Sequence, residues 1–346
     1  MNDHPMLPSY FPLFILSFWW IREAVGLTYQ IVFSQYELKR KSIRINAILL
    51  LLALTGCLLL AEITSAFFID QSDSFNISFV SRQWFNRHWQ PINSKGFRSR
   101  EEDKKEIIEK RSILILGDSF AAGHGIENYQ DTFPEILANR LGQSFYVSNY
   151  SQCGWDTADE LNAIENIDFS PEFVILSYLP NDIISVASRM NFAFDWEYIT
   201  PQSTLWAWCV NNSYFANYLH FSTVLGIRSE QTYSQFITNL LKCHQDPEIS
   251  QEHQMELRSI ARICSDKGSH LIVVVWPFFS LLEESTFMTK NLNDALKDIP
   301  HKKIMVANEI GDWPLEESIV SFKDPHPSQA AHSYVATLLE QQILKP

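Results

Sequence analysis

The chain has 346 residues, 46% of them hydrophobic and 13% aromatic, enough to bury a sizeable core as one large α/β domain or two average ones. Its formal net charge of −13 excludes nucleic-acid binders, which need clustered Lys and Arg to neutralise phosphates. Five cysteines without a C-x-x-C spacing give no zinc or dithiol pattern.

Much of the apolar surplus lies near the N-terminus. Leu7 to Tyr36 is apolar and aromatic but is interrupted by Arg22-Glu23, and a charge at mid-membrane costs about 2.5 to 3.5 kcal/mol on insertion scales. Residues 9–33 are therefore either a strained first span or a helix lying in the interface. Ile45 to Ala61 is a run of 17 uncharged residues, about 25 Å of helix at 1.5 Å per residue, near the thickness of a bilayer core. It predicts a membrane anchor over 45–68 with Glu62 at the far interface. Thr64-Ser65-Ala66 faintly resembles a signal cleavage site, but 44 residues precede the apolar run, too many for a usual n-region. The segment is read as uncleaved, so 1–69 is an anchoring segment in contact with membrane lipid. Lys39, Arg40, Lys41 and Arg44 stand directly before the run, and the positive-inside rule keeps them in the cytoplasm. Everything after Phe68 is then extracytoplasmic.

Residues 70–111 read as a tether, polar and aromatic first, then densely charged from Arg98 to Arg111. From residue 112 to 346 an alternating rhythm is legible. Short apolar runs predict strands at Ile113–Leu116, Phe145–Asn149, Phe173–Tyr178, Leu271–Trp276 and Ile304–Ala307. Helices are predicted near Thr132–Leu141, Thr157–Ile167, Ser250–Lys267 and Gln329–Leu344. Such alternation implies a parallel sheet covered on both faces, a three-layer αβα sandwich. An insertion over 188–247, rich in Trp, Tyr and Phe, breaks the rhythm and reads as flanking helices, or as a lid or acyl pocket near the membrane. In an oxidising compartment Cys209 and Cys243 are candidates to pair and brace it.

The chemistry begins at Ser112–Gly125, SILILGDSFAAGHG, where a buried strand runs straight into Gly117-Asp118-Ser119. That sets a hydroxyl at the carboxyl end of a strand, the edge at which open α/β sheets bind ligands. Far downstream stands Asp324-Pro325-His326, before the closing helix. Serine is a weak nucleophile until a base takes its proton, histidine suits that work near neutral pH, and an acid beside it fixes the tautomer. Gly154 in SQCGWD and Asn181 in YLPND each follow a predicted strand.

Taken in order, Ser119, Gly154, Asn181 and His326 resemble the four blocks of the SGNH, or GDSL-type, hydrolase superfamily, over roughly Ile113 to the C-terminus. Asn93-Ser94-Lys95-Gly96-Phe97-Arg98 looks like the N-x-x-G-F-R lead-in of its membrane-anchored members. There are two departures. Leu179 stands where the third block usually has glycine, and Asp324 lies two residues before the histidine instead of three. The resemblance implies a flavodoxin-like αβα fold and a serine esterase in which Ser119 attacks an acyl ester, His326 is the base and Asp324 orients it. The backbone N–H groups of Ser119 and Gly154 and the Asn181 amide would form the oxyanion hole. It calls for no cofactor and no metal, and its substrates would be glycan or lipid esters. An O-acyltransferase acting on a glycan would use the same residues; a catalytically idle binding or assembly subunit is the reading of another class. Asp118 and Asp182 are expected to order turns, His124 to line the substrate mouth, and His332, on the polar part of the last helix, to be structural.

Overall fold

In the computed structural model, residues 19–27, 38–194 and 199–345 are described. Five strands form one parallel sheet: β1 (Arg111–Gly117), β2 (Phe145–Ser151), β3 (Phe173–Tyr178), β4 (His270–Val275) and β5 (Lys302–Met305), in the order β2-β1-β3-β4-β5. The register sets Leu114 of β1 between Ser148 of β2 and Val174 of β3. Strands covered on both faces read as unbroken apolar runs, and Ile113 to Leu116 are fully buried.

Side chains alternate across the sheet and so feed two cores. Ile113, Ile115, Ile175, Ile272 and Val274 pack with Phe133 and Leu137 and with Val335 and Leu339 of the closing helix Gln329–Leu344. Leu114, Leu116, Val174, Leu176 and Val273 pack on the other face with Ile164, Leu257 and Ile260. Each such side chain contributes about 1.5 to 3 kcal/mol of burial. The helices begin where side chains satisfy their first N–H groups. Asp156 and Asp159 form a capping box for Thr157–Glu165, Asp246 accepts from Glu248 and Ile249 ahead of Pro247–Asp266, and Ser328 accepts from Ala331.

The sheet is therefore sandwiched between helices on both faces, with every strand boundary within two residues of that predicted. The helix expected to begin at Ser250 begins at Pro247, because Asp246 caps it and proline is tolerated in a first turn. Residues 188–247 supply the helices Thr204–Asn212, Tyr214–Ser222 and Ser229–Gln245; Phe236, Ile237, Leu240 and Cys243 of the last pack with Ile183 and Val186 in a third apolar cluster. All five cysteines are free thiols, so the suggested Cys209–Cys243 pairing is not made.

Two expectations about the N-terminal third are corrected or left open. Residues 70–111 are not a free tether: they form the helix Phe79–His88 and bury Asp73, Trp84, Phe97 and Arg98 against the domain. Their polar character marks hydrogen bonds to the domain rather than solvation. The long helix Leu38–Phe67 contains a segment, Arg44–Phe67, with mean hydropathy 2.3 and its apolar stretch unburied, long and apolar enough to cross a membrane. Of the stretch 9–33, only the helical residues 19–27 fall within the described residues.

Candidate active site

β1 ends at Gly117, a position where nothing larger fits. A Cβ there would stand 2.7 Å from that of Ala121 and 2.8 Å from that of Ser177. Asp118 then caps the short helix Ser119–Ala122, accepting the Phe120 N–H at 2.8 Å, the turn-ordering role expected of it. Burial pushes its carboxyl up to about 6, against the opposing pull of that N–H and of His326.

The base arrives on a separate antiparallel pair, β6 (Ile319–Ser321) with β7 (Asp324–Pro327). Residues two apart on a strand point to the same face, so Asp324 and His326 stand side by side while Pro325 faces away. His326 Nδ1 lies 2.5 Å from Asp324 Oδ1, and His326 Nε2 lies 2.8 Å from Ser119 Oγ across 207 positions of sequence. A carboxylate at Nδ1 holds the ring proton there and leaves Nε2 free to accept from the serine. Burial alone would raise the Asp324 carboxyl; the charge of His326 beside it and the hydrogen bond from that ring outweigh it and hold the group well below the usual carboxylate range.

His124 lines the pocket, as expected, and also packs on the base. Its ring is buried and stacks on His326 with centroids 4.1 Å apart and planes 2° from parallel. Its Nε2 donates to the Asp73 carbonyl at 2.9 Å, which leaves Nδ1 to accept from Cys153 Sγ at 3.7 Å. Burial, and then the charge of His326, lowers it to about 3, so at neutral pH it presents an uncharged face to the base. His124, Asp324 and His326 bring three metal-type donors within 4.8 Å of one another. The parallel rings keep their lone pairs in separate planes, and both nitrogens of His326 are already engaged, so these residues do not fit one ion.

Gly154 is the third residue of the turn Gln152–Trp155, closed by a hydrogen bond at 3.1 Å, and its φ of +81° is what a type II turn requires there. A Cβ would meet nothing within 4 Å, so the demand is conformational and not steric. Asn181 borders the same pocket, and its amide oxygen has no partner among the described residues. Ser119 opens its helix, and first-turn N–H groups have no intrahelical carbonyl to reach. The Leu179 departure has a simple account. Its backbone is extended, φ −121° and ψ 143°, a conformation any residue adopts, and its side chain packs in the core while its N–H is held by Asp182 at 3.0 Å.

Beside Ser119 lies a cavity of about 420 Å³. Phe75, Ile184, Tyr233, Phe236, Phe278 and Leu281 form its apolar wall. Phe75 and Tyr233 carried no signal of their own in sequence; each lies in a segment that reads as tether or flank, and only folding brings both to the serine. Arg98 is the other residue whose role is hidden. Asn93 accepts the N–H groups of Lys95 and Phe97, each at 3.0 Å, and folds N-x-x-G-F-R into a local turn. That aims the Arg98 guanidinium at the carbonyls of Gly123 (2.7 Å), Ile126 (2.7 Å), His88 (2.9 Å) and Glu127 (3.2 Å). It thereby ties down the chain directly after the serine helix. His332, placed by pattern on a polar face, is fully buried and accepts the Phe133 N–H at 3.1 Å, a structural role.

No protein family and no curated protein matches the chain's sequence. Solved structures similar to it include TesA, 13% identical over 67% of this chain and 98% of that chain with a TM-score of 0.43. The psychrotrophic esterase EstA from Pseudoalteromonas sp. is 13% identical over 68% and 97%, with a TM-score of 0.40. A catalytic mutant of Axe2, an acetylxylan esterase from Geobacillus stearothermophilus, is 11% identical over 68% and 95%, with a TM-score of 0.43. Likeness at this level leaves the chemistry of this chain to its own side chains.

Proposed function

We propose that this protein is a serine acyl-ester hydrolase or acyltransferase of the SGNH type, anchored in the membrane by 45–68 with its site on the extracytoplasmic side. The observation that carries the reading is the line of contacts Ser119 Oγ to His326 Nε2 at 2.8 Å and His326 Nδ1 to Asp324 Oδ1 at 2.5 Å, beside the apolar cavity. In this reading Ser119 Oγ attacks the ester carbonyl as its proton passes to His326 Nε2. The tetrahedral oxygen is met by the N–H groups of Ser119 and Gly154 and by the Asn181 amide, each such donor being worth about 2.7 to 4 kcal/mol. Collapse expels the alcohol, which takes the proton from His326, and leaves an acyl-enzyme. Water, or a sugar hydroxyl in the transferase variant, then gives its proton to His326 and bonds to the acyl carbon, and as the bond to Ser119 Oγ breaks that oxygen takes the proton back from His326. The apolar wall suits the acyl part of the ester. Unbroken contacts from serine to acid speak against an idle subunit.

The test is stoichiometric labelling of the full-length protein by a fluorophosphonate, with Ser119→Ala as control. One adduct per chain on Ser119, lost in the variant together with p-nitrophenyl ester turnover, is expected. An unlabelled wild-type protein, or wild-type turnover in Ser119→Ala, would sink the mechanism.

A further inference from the structure

The insertion bears a surface that the proposed chemistry does not use. Glu62 is the first charged residue after the run Ile45–Ala61, so it marks the outer boundary of the apolar core if the helix spans a bilayer. Its carboxylate accepts from Ser213 Oγ at 2.6 Å, from the Tyr214 N–H at 2.8 Å and from the Phe215 N–H at 3.0 Å. An acid there satisfies the orphan N–H groups of the helix Tyr214–Ser222 and complements its dipole. The insertion is thus fixed to the span at one level. At 1.5 Å per residue, Phe67 lies about 7.5 Å further out, roughly the depth of one interfacial layer.

Composition points the same way. Residues 199–227 contain no Asp, Glu, Lys or Arg, in a chain where 19% are charged. A flanking helix bathed in water has no reason to lack charge over such a length. The apolar side chains are also exposed: Leu205 74%, Trp208 53%, Leu219 47% and Ile227 85%, with Phe68 at 76% just beyond the long helix. Leu205 and Trp208 are three apart on Thr204–Asn212 and share a face. Trp and Tyr concentrate where a bilayer meets water, and Trp206, Trp208, Tyr214 and Tyr218 all fall here.

We propose that residues 204–227 form an interfacial platform that lies in the headgroup layer of a phospholipid bilayer beside the outer end of Arg44–Phe67. The proposal rests on reading that helix as a membrane span and is independent of the ester chemistry. It has a consequence for the site. Only six residues lie between Phe67 and Ser74, which borders the cavity, so the chain places that border within about 25 Å of the helix end. The cavity is held low over the membrane surface.

The full-length protein in phosphatidylcholine nanodiscs carrying a diazirine-tailed phosphatidylcholine, irradiated and mapped by mass spectrometry, tests this. Adducts are expected within 45–61 and also at Leu205, Trp208, Leu219 or Ile227, and none on the exposed Met255 of Pro247–Asp266. In the double variant Leu205→Glu, Ile227→Glu, adducts in 204–227 should fall at least tenfold, with those in 45–61 and the turnover of soluble p-nitrophenyl butyrate unchanged. Adducts confined to 45–61 in the wild type would overturn the platform while leaving the span intact. Adducts at neither place would overturn both. Ester turnover is read separately, so its absence would count against the enzyme reading alone.

Discussion

Asp324 and His326 stand two positions apart on one short strand and 2.5 Å apart in space, so the acid reaches the ring without any unusual backbone. Pro325 between them is not an obstacle, because on a strand it points to the other face. If the carboxylate holds the ring tautomer, Asp324→Asn should fold normally and lose about four orders of magnitude in kcat, the loss seen in the serine-protease example. Steady-state turnover with a thermal melt checks this; activity within a factor of three of wild type would mean that Asp324 is not needed to orient the base.

Arg98 donates to the carbonyls of His88, Gly123, Ile126 and Glu127, which no lysine ammonium can reach together, since the guanidinium fork is planar and rigid. Arg98→Lys should therefore destabilise the fold by about 3 kcal/mol, as buried charged hydrogen bonds are lost. Below its melting point the variant should also be labelled by fluorophosphonate at least tenfold more slowly. Wild-type labelling with a lowered melting temperature would limit Arg98 to stability.

Replacing Leu179 by the glycine usual at this position should harm the protein. The backbone is already extended, and the buried side chain would be lost. About 3 to 5 kcal/mol of destabilisation is expected from the cavity and from glycine's extra freedom when unfolded. Urea midpoints measure it, and a gain in either stability or turnover would contradict the packing described for Leu179.

The pH dependence of stability follows from buried groups of both kinds. Burial lowers His124, His253 and His332 to about 3 and His244 to about 4, so below about 6.5 the unfolded chain takes up protons that the folded chain refuses. On this account stability falls as pH drops below 6.5. Glu160 has the opposite sign. Burial first, then the charges of Asp118, Asp156 and Asp159, raises it well above its ordinary 4.5, and both of its oxygens lack partners among the described residues. The folded chain keeps a proton that the unfolded chain releases, so this contribution falls as pH rises above 4.5. Glu160→Gln should accordingly raise the urea midpoint at pH 8 and change it little at pH 4.5. An equal effect at both values would show that Glu160 does not titrate between the two states.

Much of the architecture was legible because short-range chemistry decides it. Four-residue apolar runs name strands buried on both faces, and Gly117-Asp118-Ser119 marks the turn at the end of β1, whereas the cap Asp246 starts its helix three residues ahead of the predicted Ser250. Ser119, Gly154 and Asn181 each follow a predicted strand, and their order with His326 is read from the resemblance to the SGNH blocks. What only the tertiary structure decides are contacts between positions remote in sequence, which leave no periodic trace. Residues 70–111 looked like a tether because hydrogen-bonding side chains read the same whether they face water or a carbonyl. His332 falls on the polar part of its helix, and what it bonds could not be read there, because its partner, the Phe133 N–H, lies 199 positions away. The stacking of His124 on His326 and the joint wall of Phe75 and Tyr233 have the same origin. So does the bond from Glu62 to Ser213, which spans 151 positions. Local pattern sets which segments are strands and helices; the closing of long loops, paid for by burial, sets which side chains meet.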